Sequence, residues 1–272
     1  MRHPSRYFPV LLAGPVLIVL VVMALFSGVL APADPLRIDA RNILKSPSAQ
    51  HVLGTDQLGR DILSRVVYGA RVSLSVAAAA VLVATLVGVM LGLLAGYVGG
   101  WVENVLMRTI DTFLSIPEIF VAIVVVAFFT SGITTLVFTI GLLYFPQFAR
   151  VVYAVTNSMK RREFVEASIA LGAGASRILL RQILPNIASI IVVQITFTIS
   201  FAMLLEAGLS FLGLGVMPPR PSWGQMIGDL KDFIQINPLP VIFPSIALFL
   251  AVFAINTMGD WLQDWLNPEM GQ

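Results

Sequence analysis

The stretch RREFVEASIALGAGASRILLRQILPN, residues 161–186, decides how the rest of the chain is interpreted. It is amphipathic, basic and broken by glycines, whereas the sequence on both sides of it is mostly apolar. Charged groups are costly inside lipid, so a segment of this kind indicates contact with water, with a membrane surface or with another protein.

The spacing predicts a short helix over Arg162–Leu171, a hinge at Gly172 and Gly174, and a second helix over Ala175–Ile183 that stops before Pro185. The first helix has an apolar-leaning side with acidic neighbours, made of Phe164, Val165, Ser168 and Leu171 beside Glu163 and Glu166. It is roughly 15 Å long. Such a helix fits a groove on another protein as well as it fits the surface of the inner leaflet, and both interpretations stay open.

The composition places the chain among membrane proteins. Of its 272 residues, 57% are hydrophobic and only 12% are charged, against about 25% charged in a soluble domain. The mean hydropathy is +0.89, and a net charge of +2 gives no indication of nucleic-acid binding. The chain has no cysteine, and its two histidines, His3 and His51, lie outside the apolar runs. Neither a metal site nor histidine acid–base chemistry is therefore expected.

Six apolar runs are long enough to cross a bilayer, and they predict six transmembrane helices. They cover residues 9–31, 74–98, 112–131, 133–155, 187–212 and 239–260. The first run has 23 residues, longer than a signal-peptide core, which favours a retained anchor over a cleaved signal. No internal repeat is visible, so the chain is predicted to form one all-α membrane domain.

The basic cluster Lys160–Arg162 gives the best indication of orientation, because it directly follows the fourth run. Basic residues concentrate in cytoplasmic loops, so the cluster predicts that residues 158–186 are cytoplasmic, together with the N-terminus and the C-terminus. The connections 32–73 and 213–238 are then external.

Ala80, Ala84, Gly88, Gly92 and Gly96 recur every four residues in the second run and form a smooth stripe along one helix face. Small residues allow another helix to approach closely in lipid, where no hydrophobic effect drives helices together. The stripe therefore predicts close helix packing, either within this chain or against a second chain.

The motifs of common enzyme classes are absent from the sequence. No G-x-x-x-x-G-K-[ST] phosphate loop accompanies any of the three lysines, Lys45, Lys160 and Lys231, and no HExxH zinc motif occurs. The run GLSFLG differs from a nucleophile elbow because Leu212 stands where glycine is required. The chain is therefore not expected to be an enzyme or to bind a nucleotide or a metal itself.

Two glutamates lie within predicted spans, Glu118 directly after Pro117 and Glu206 in the outer half of the fifth span. A carboxylate at membrane depth normally faces a cavity or a partner group. Each is a candidate for lining a translocation path, and the alternatives are a hydrogen bond between helices or contact with the interface. Asp111 and Asp260 lie near inner ends of spans and are expected to be interfacial.

The segment EASIALGAGASRILLRQILP, residues 166–185, resembles the E-A-A-x3-G-x9-I-x-L-P loop of the membrane subunits of bacterial ABC importers. The motif positions are occupied by Glu166, Ala167, Gly172, Leu184 and Pro185. Two positions depart from the motif: Ser168 replaces its third small residue, and Gln182 stands where isoleucine is expected. Serine preserves close packing, and the glutamine affects local packing rather than the assignment.

Two further blocks are similar to the dipeptide, oligopeptide and nickel branch of that family: HVLGTDQLGRDILSRVVYGARVSL at 51–74 and EAGLSFLGLGVMPPRPSWGQM at 206–226. With an additional first span, the resemblance covers most of the chain and points to the second of two permease subunits. It implies the architecture of a type I ABC importer permease. An anchor helix and the start of an external loop would occupy 1–50, and a transmembrane domain with five core helices and a coupling loop at about 158–186 would occupy 51–272.

The resemblance implies that the first helix of residues 161–186 docks in a groove of a separate ATPase. The residues expected to carry this coupling are Glu163, Phe164, Glu166, Ala167, Ser168, Leu171, Gly172 and Pro185. Expected partners are a homologous second permease, two ATP-binding subunits that hold the ATP and magnesium, and an extracytoplasmic substrate-binding protein, all at a bacterial cytoplasmic (inner) membrane. No cofactor and no nucleic acid is expected on this chain itself.

Dipeptides and oligopeptides are the substrates that the resemblance implies, although metal chelates and some glycans use similar permeases. The competing class is a channel or secondary transporter that works without ATPases. Neighbouring genes for two ATPases and a secreted binding protein would discriminate between the two.

The two predicted external connections carry less specific signals. Residues 213–238 are rich in proline and glycine around Trp223, which is expected to be exposed. The segment is interpreted either as a docking or gating element or as a lid over helix ends. Within 54–73, Thr55 or Asp56 is expected to cap a turn, and Asp61–Arg71 is expected to form an elbow helix along the outer interface.

Overall fold

The computed structural model describes residues 8–266, and every regular element within that range is helical. The helices are α1 (Phe8–Leu25), α2 (Ser27–Leu30), α3 (Ile62–Val98), α4 (Gly100–Leu114), α5 (Glu118–Phe128), α6 (Ile133–Met159), α7 (Glu163–Ala170), α8 (Ala175–Ile178), α9 (Leu184–Phe211), α10 (Trp223–Leu230) and α11 (Leu239–Leu266). This agrees with the all-α expectation. The two termini, which are predicted to be cytoplasmic, lie outside the described residues.

Four helical stretches are long and apolar enough to cross a membrane: Ile62–Val98, Ile133–Met159, Ala175–Phe211 and Leu239–Leu266. α1 contributes a shorter apolar stretch, Pro9–Leu25. The expected third span is instead a pair of helices, α4 and α5, bent by 91°. The described chain therefore has four candidate spans, or five if the bent pair is one span, rather than six straight ones.

The bend between α4 and α5 has a local cause. Pro117 disfavours helix at the residue before it and has no N–H to continue the hydrogen-bond ladder. α4 ends at Leu114 and is capped by Ser115, whose N–H donates to Asp111 O at 3.1 Å and whose hydroxyl donates to Thr112 O at 2.7 Å. α5 restarts at Glu118, so that this carboxylate lies at the positive end of the new helix.

α3 begins earlier than the predicted second span, and no separate elbow helix precedes it. Asp61 caps the helix, because its carboxylate accepts from Ser64 N at 2.8 Å. No proline interrupts the 37 residues that follow, so the residues expected to form an elbow are the first turns of one long helix. Ile62, Val66 and Ala70, predicted to share one side, are all buried.

The helix that was expected to stop before Pro185 continues through it. The N–H of Leu184 bonds to Leu179 O, which makes one wide π-helical turn over Leu179–Ile183. In an α-helix the proline ring would press on the carbonyl four residues earlier, and a widened turn relieves that clash. Residues 175–211 consequently form one continuous helical stretch.

The small-residue stripe lies against α6 of the same chain. Ala80 and Ala84 are fully buried. A Cβ atom added to Gly88, Gly92 or Gly96 would lie 2.4, 2.6 and 2.7 Å, respectively, from the nearest atom of α6. Glycine at these three positions therefore permits the close contact between α3 and α6. The sequence left open whether the stripe packs within this chain or against a second chain, and in the structure it packs within this chain.

Buried apolar side chains form two clusters. The larger one is shared mainly by α1, α3, α6, α9, α10 and α11. The smaller one, called the inner cluster below, comprises Leu93, Val152, Val165, Ile178, Ile183, Ile187 and Ile191. It joins α7 to the late turns of α3 and α6 and to the start of α9, so residues 161–186 meet the helix bundle there.

Residues 32–61 and 213–238 fold together over the end of the bundle where α3 begins, and they are called the cap below. Asn237 Nδ2 donates to Leu44 O at 3.1 Å and ties the two parts of the cap together. The backbone N–H of Ala33 donates to Ser64 Oγ at 3.0 Å and fixes the cap to the first turn of α3.

A buried charge cluster holds the first part of the cap. Asp56 accepts from Arg60 Nε at 2.6 Å and lies 3.3 Å from Arg65 Nε, and all three side chains are buried. Arg65 also donates to Pro35 O at 3.3 Å. Asp229 of α10 belongs to the same electrostatic environment. Burial raises the pKa of its carboxyl, while Arg65 and Arg60 act in the opposite direction.

Trp223 is fully buried, which corrects the expectation that it is exposed. Its indole N–H donates to Val66 O at 3.0 Å, and its backbone N–H donates to Ser73 Oγ at 3.3 Å. Gly69 leaves room for the ring, because an added Cβ would lie 2.7 Å from Trp223 Cδ1. The start of α10 therefore packs on α3, as a lid over helix ends does.

Candidate functional site: the coupling segment

Residues 161–186, called the coupling segment below after the role expected of them, form a short helix, a tight hinge and a second helix. α7 runs from Glu163 to Ala170, within one residue of the predicted bounds, Arg162 and Leu171, at each end. Gly172 has a φ of +77°, a conformation that glycine adopts without strain. A Cβ at this position would meet nothing within 4 Å, so the space beside Gly172 is open.

α7 is attached to the bundle along one side only. Val165 is its single buried residue and belongs to the inner cluster, and Ser168, three residues further along the same face, is half-buried. The other predicted coupling residues of this region are exposed: Glu163, Phe164, Glu166, Ala167, Leu171, Gly172 and Pro185. Phe164 is 44% exposed and Leu171 is 88% exposed. The predicted apolar side is thus divided, with Val165 and Ser168 facing inward.

The two positions that depart from the importer motif contact each other. Gln182 Nε2 donates to Ser168 Oγ at 2.7 Å, and the Ser168 hydroxyl donates to Phe164 O at 2.9 Å. Gln182 lies in the π-helical turn, so the first of these bonds crosses the hinge from α7 to the turn that leads into α9. Sequence reasoning treated the two positions separately, because they are 14 positions apart along the chain.

Two further contacts, which the sequence did not indicate, tie the end of α6 to its neighbours. Lys160 Nζ donates to Tyr97 O in the last turn of α3 at 2.6 Å and lies 5.5 Å from the centre of the Tyr97 ring. The Tyr153 hydroxyl donates to the carboxylate of Glu103 in the first turn of α4. The ends of α3, α4 and α6 are therefore joined next to the coupling segment.

Glu118, one of the two predicted path residues, lies at the bend between α4 and α5. Its half-buried carboxylate accepts from Gln147 Nε2 at 3.3 Å and interacts electrostatically with the hydroxyl of Tyr144, and both residues lie on α6. A polar group from each of two adjacent turns of α6 thus reaches the break in the neighbouring helix.

An open cleft of about 540 Å³ lies between α4 and α6. It is lined by Glu103, Asn104, Met107, Arg108, Asp111, Arg150, Tyr153 and Ala154. Asp111, which was expected at an interface, pairs with Arg150 at 2.8 Å, and both side chains are more than half exposed. Within residues 8–266, no group of three or more His, Cys, Asp or Glu side chains is arranged to hold a metal ion.

Glu206, the second predicted path residue, is fully buried among hydroxyl groups. Ser73 Oγ donates to its Oε2 at 3.0 Å and Ser210 Oγ donates to its Oε1 at 2.7 Å. Ser210 Oγ also accepts from Val216 N at 3.2 Å. Glu206 therefore connects α3, α9 and the cap. This arrangement agrees with the alternative to a path-lining role, which was a hydrogen bond between helices.

Comparison with known proteins identifies the family. Residues 88–272 match the family described as binding-protein-dependent transport system inner membrane component. The glutathione transport system permease protein GsiD of Shigella flexneri serotype 5b (strain 8401) is 42% identical over 270 residues, which cover 99% of this chain and 89% of the relative. The GsiD protein of Escherichia coli O157:H7 is 41% identical over the same shares. The chain belongs to this family of ABC importer permeases.

The permease also has a fold neighbour among solved structures. The MetNI methionine ABC transporter in an inward-facing conformation aligns with a TM-score of 0.59, over 75% of this chain and 97% of that chain. Its sequence identity is 20%, so this likeness concerns the fold alone. The family match starts at Gly88, inside α3, and includes the whole coupling segment. The predicted domain boundary at residue 50 stays a prediction.

Proposed function

We propose that this permease is one of two membrane subunits of an ATP-driven importer, and that its coupling segment transmits movement from separate ATPase subunits. The observation that carries the proposal is the two-sided character of α7. One side buries Val165 in the inner cluster, and the other side presents the exposed Phe164 and Leu171. A short helix divided in this way is suited to a groove on a partner protein.

The inner cluster supplies a route for that movement. It packs Val165 of α7 with Leu93 of α3, Val152 of α6 and Ile187 of α9. Because packed side chains resist compression, a displacement of α7 moves the adjoining helix ends with it. Closure of the ATPases on ATP would then drive the bundle between inward-facing and outward-facing states, provided that the two states differ in these contacts.

The proposal also assigns the two sides of the membrane. The coupling segment faces the cytoplasm, where the ATPases and both termini lie, and the cap faces outward. The turn at residues 217–220 of the cap is exposed, and it is the candidate contact for a substrate-binding protein. A homologous second permease completes the membrane part of the importer.

Glu118 is the better of the two candidates for the translocation path. It combines a half-buried carboxylate with a broken membrane helix, a combination that marks binding sites in other transporters. Peptides are the proposed substrates, because the relatives are named glutathione transport permeases and glutathione is itself a tripeptide.

A purification through a tag on this chain tests the coupling. The wild-type permease is expected to retain a second permease and two ATPases in mild detergent. Leu171→Asp puts a charge on the exposed side of α7. We therefore expect about a tenfold or greater loss of bound ATPase, with the second permease retained. Ile236→Asp is the matched control, because Ile236 is an apolar residue of the cap with 72% exposure.

Each outcome separates one part of the proposal from another. A wild-type chain that purifies alone, or only with copies of itself, would contradict ATP coupling and favour a channel or secondary transporter. Equal retention of ATPase by Leu171→Asp and Ile236→Asp would contradict docking through α7. An assembled importer that takes up neither labelled glutathione nor a labelled dipeptide would overturn the peptide substrate alone.

A further inference from the structure

We propose that Ser168 and Gln182 form a latch that fixes the angle of α7 against the first turns of the α9 span, which makes both of them positioning residues for coupling. The inference rests on the proposed function, because the angle of α7 matters only if α7 receives movement from a partner. The hydrogen bond between the two side chains, 2.7 Å from Gln182 Nε2 to Ser168 Oγ, is the observation that carries it.

The contact through Val165 does not fix the orientation of α7 by itself. Val165 is the single buried residue of this helix, and an apolar contact is not directional. The chain also continues into α7 from α6 through a turn with a bond from Arg162 N to Met159 O at 3.0 Å, but one apolar side-chain contact leaves rotation of α7 about its axis unrestricted. Ser168 lies three residues further along the same face, and its hydrogen bond is directional, so a second fixed point there removes that freedom.

The hinge does not set the angle either. Gly172 has a positive φ, and a Cβ at Gly172 or Gly174 would meet nothing within 4 Å. Of the hinge residues, Ala173 packs against the inner cluster, and an apolar contact of that kind is not directional. A directional contact between the two helices that the hinge joins is therefore needed to define the angle, and the bond between Ser168 and Gln182 is such a contact.

The position of Gln182 directs the latch to the membrane span. Gln182 lies in the π-helical turn, next to the buried Ile183 of the inner cluster. The latch and the apolar contact therefore act on adjacent residues of one turn. Since residues 175–211 form one continuous helical stretch, a displacement of α7 in a defined direction is transmitted to the whole α9 span.

The two partners are unequally dependent on the latch. Ser168 keeps a hydrogen bond to Phe164 O when Gln182 is replaced. Gln182 has a buried Oε1 without a partner among residues 8–266, so loss of the Ser168 hydroxyl leaves both ends of its amide unpaired. The geometry thus predicts that Ser168→Ala is more harmful than Gln182→Ile, and that the double variant, which is apolar at both positions, recovers function.

Stimulated ATP hydrolysis in the complete importer tests this order. With the cognate binding protein and glutathione as the probe, we expect Ser168→Ala to lower hydrolysis about fivefold, the size of one lost hydrogen bond. Gln182→Ile is expected to lower it about twofold, and Ser168→Thr, which keeps the hydroxyl, to leave it unchanged. Ser168→Ala/Gln182→Ile is expected to return to within about twofold of wild type. Ser176→Ala, on the exposed start of α8, is the matched control.

A distance measurement tests the latch without any substrate. The chain contains no cysteine, so two introduced cysteines at the exposed Ala170 and Ala188 carry spin labels in a complex whose other subunits are cysteine-free. We expect a distance distribution that is broader in Ser168→Ala than in wild type and narrow again in the double variant. If Ser168→Ala does not assemble, the distance distributions of Gln182→Ile and of the double variant are compared with that of the wild type.

Two results would overturn the latch. One is a wild-type distance distribution and wild-type hydrolysis in both single variants. The other is a double variant whose loss equals the product of the two single losses, because independent residues behave in that way. Absence of ATPases from the wild-type complex would instead contradict the proposed function, and the distance measurement separates the two failures.

Discussion

Two segments of equal length lie at the two ends of α9, and they are held in opposite ways. The coupling segment and residues 213–238 contain 26 residues each. Ten residues of the second segment are buried, against three of the coupling segment. Residues 213–238 are fixed through a buried tryptophan and through hydrogen bonds to α3 and to the other part of the cap, residues 32–61. The coupling segment is fixed through a few apolar side chains and one latch.

The difference indicates which end of the bundle is built to stay in place. Opening the cap would separate buried charges and unpair buried polar groups, which costs several kcal/mol. Reorienting α7 disturbs one buried side chain and one hydrogen bond, and regions with few buried contacts move at low cost. We therefore expect α9 to pivot about the cap when its inner end is displaced, with the open hinge at Gly172 absorbing the change of angle.

The largest effect on stability is expected from Asp56→Ala in the cap. This change removes the carboxylate that pairs with Arg60 and Arg65 and leaves two guanidinium groups buried without it. Removing one partner from a buried charge cluster costs about 3–5 kcal/mol. We expect a drop in the unfolding temperature of about 10 °C, measured by thermal unfolding of the purified permease.

Asp111→Ala is the control for that measurement. Asp111 also pairs with an arginine, Arg150, but both side chains are more than half exposed, and such pairs contribute only about 0–1 kcal/mol. Similar drops in the two variants would show that burial does not distinguish the cap from the cleft, and the contrast between the two ends of α9 would lose its energetic basis.

The next largest effect is expected from Ala167→Pro in α7, and it should appear in coupling rather than in stability. A proline at this position clashes with the carbonyl of Glu163 and costs about 3 kcal/mol of helix stability. Because α7 contributes one buried side chain to the bundle, we expect insertion, pairing and unfolding temperature to be preserved. Stimulated ATP hydrolysis should be abolished.

Ala167→Ser retains the helix and the size of the side chain, so it serves as the reference for the proline variant. An unfolding temperature that falls as far in Ala167→Pro as in Asp56→Ala would mean that α7 is part of the rigid body. In that case the coupling segment would not be the movable end of the molecule.

The sequence predicted the coupling segment better than the cap, for a physical reason. The bounds of α7 and the hinge follow from local features, namely a basic amphipathic run and Gly172, and they agree with the structure to within one residue. Trp223 was expected to be exposed because its neighbours are prolines and glycines. Its burial depends on Gly69 and Val66, about 150 residues earlier in the chain, and no local pattern reports that contact.

Some local signals were present but were outweighed by an assumption of straight spans. Pro117 marks the 91° bend between α4 and α5, yet the apolar run across it predicted a single span. Pro185 was taken as a stop, but the π-helical turn before it lets the helix continue. The bond between Ser168 and Gln182 required the angle of the hinge, which the sequence does not determine.

The smallest effect is expected at Glu206, where two substitutions separate shape from charge. Glu206→Ala removes the acceptor of both Ser73 and Ser210, at a cost of about 1–3 kcal/mol. Glu206→Gln keeps a carbonyl oxygen and the volume of the side chain, so we expect an unfolding temperature near that of wild type. Transport kinetics should also be unchanged in Glu206→Gln, because Glu206 is fully buried at the junction of α3, α9 and the cap. Altered kinetics with an unchanged unfolding temperature would instead assign Glu206 to the translocation path, and the cap would then take part in transport rather than only anchor it.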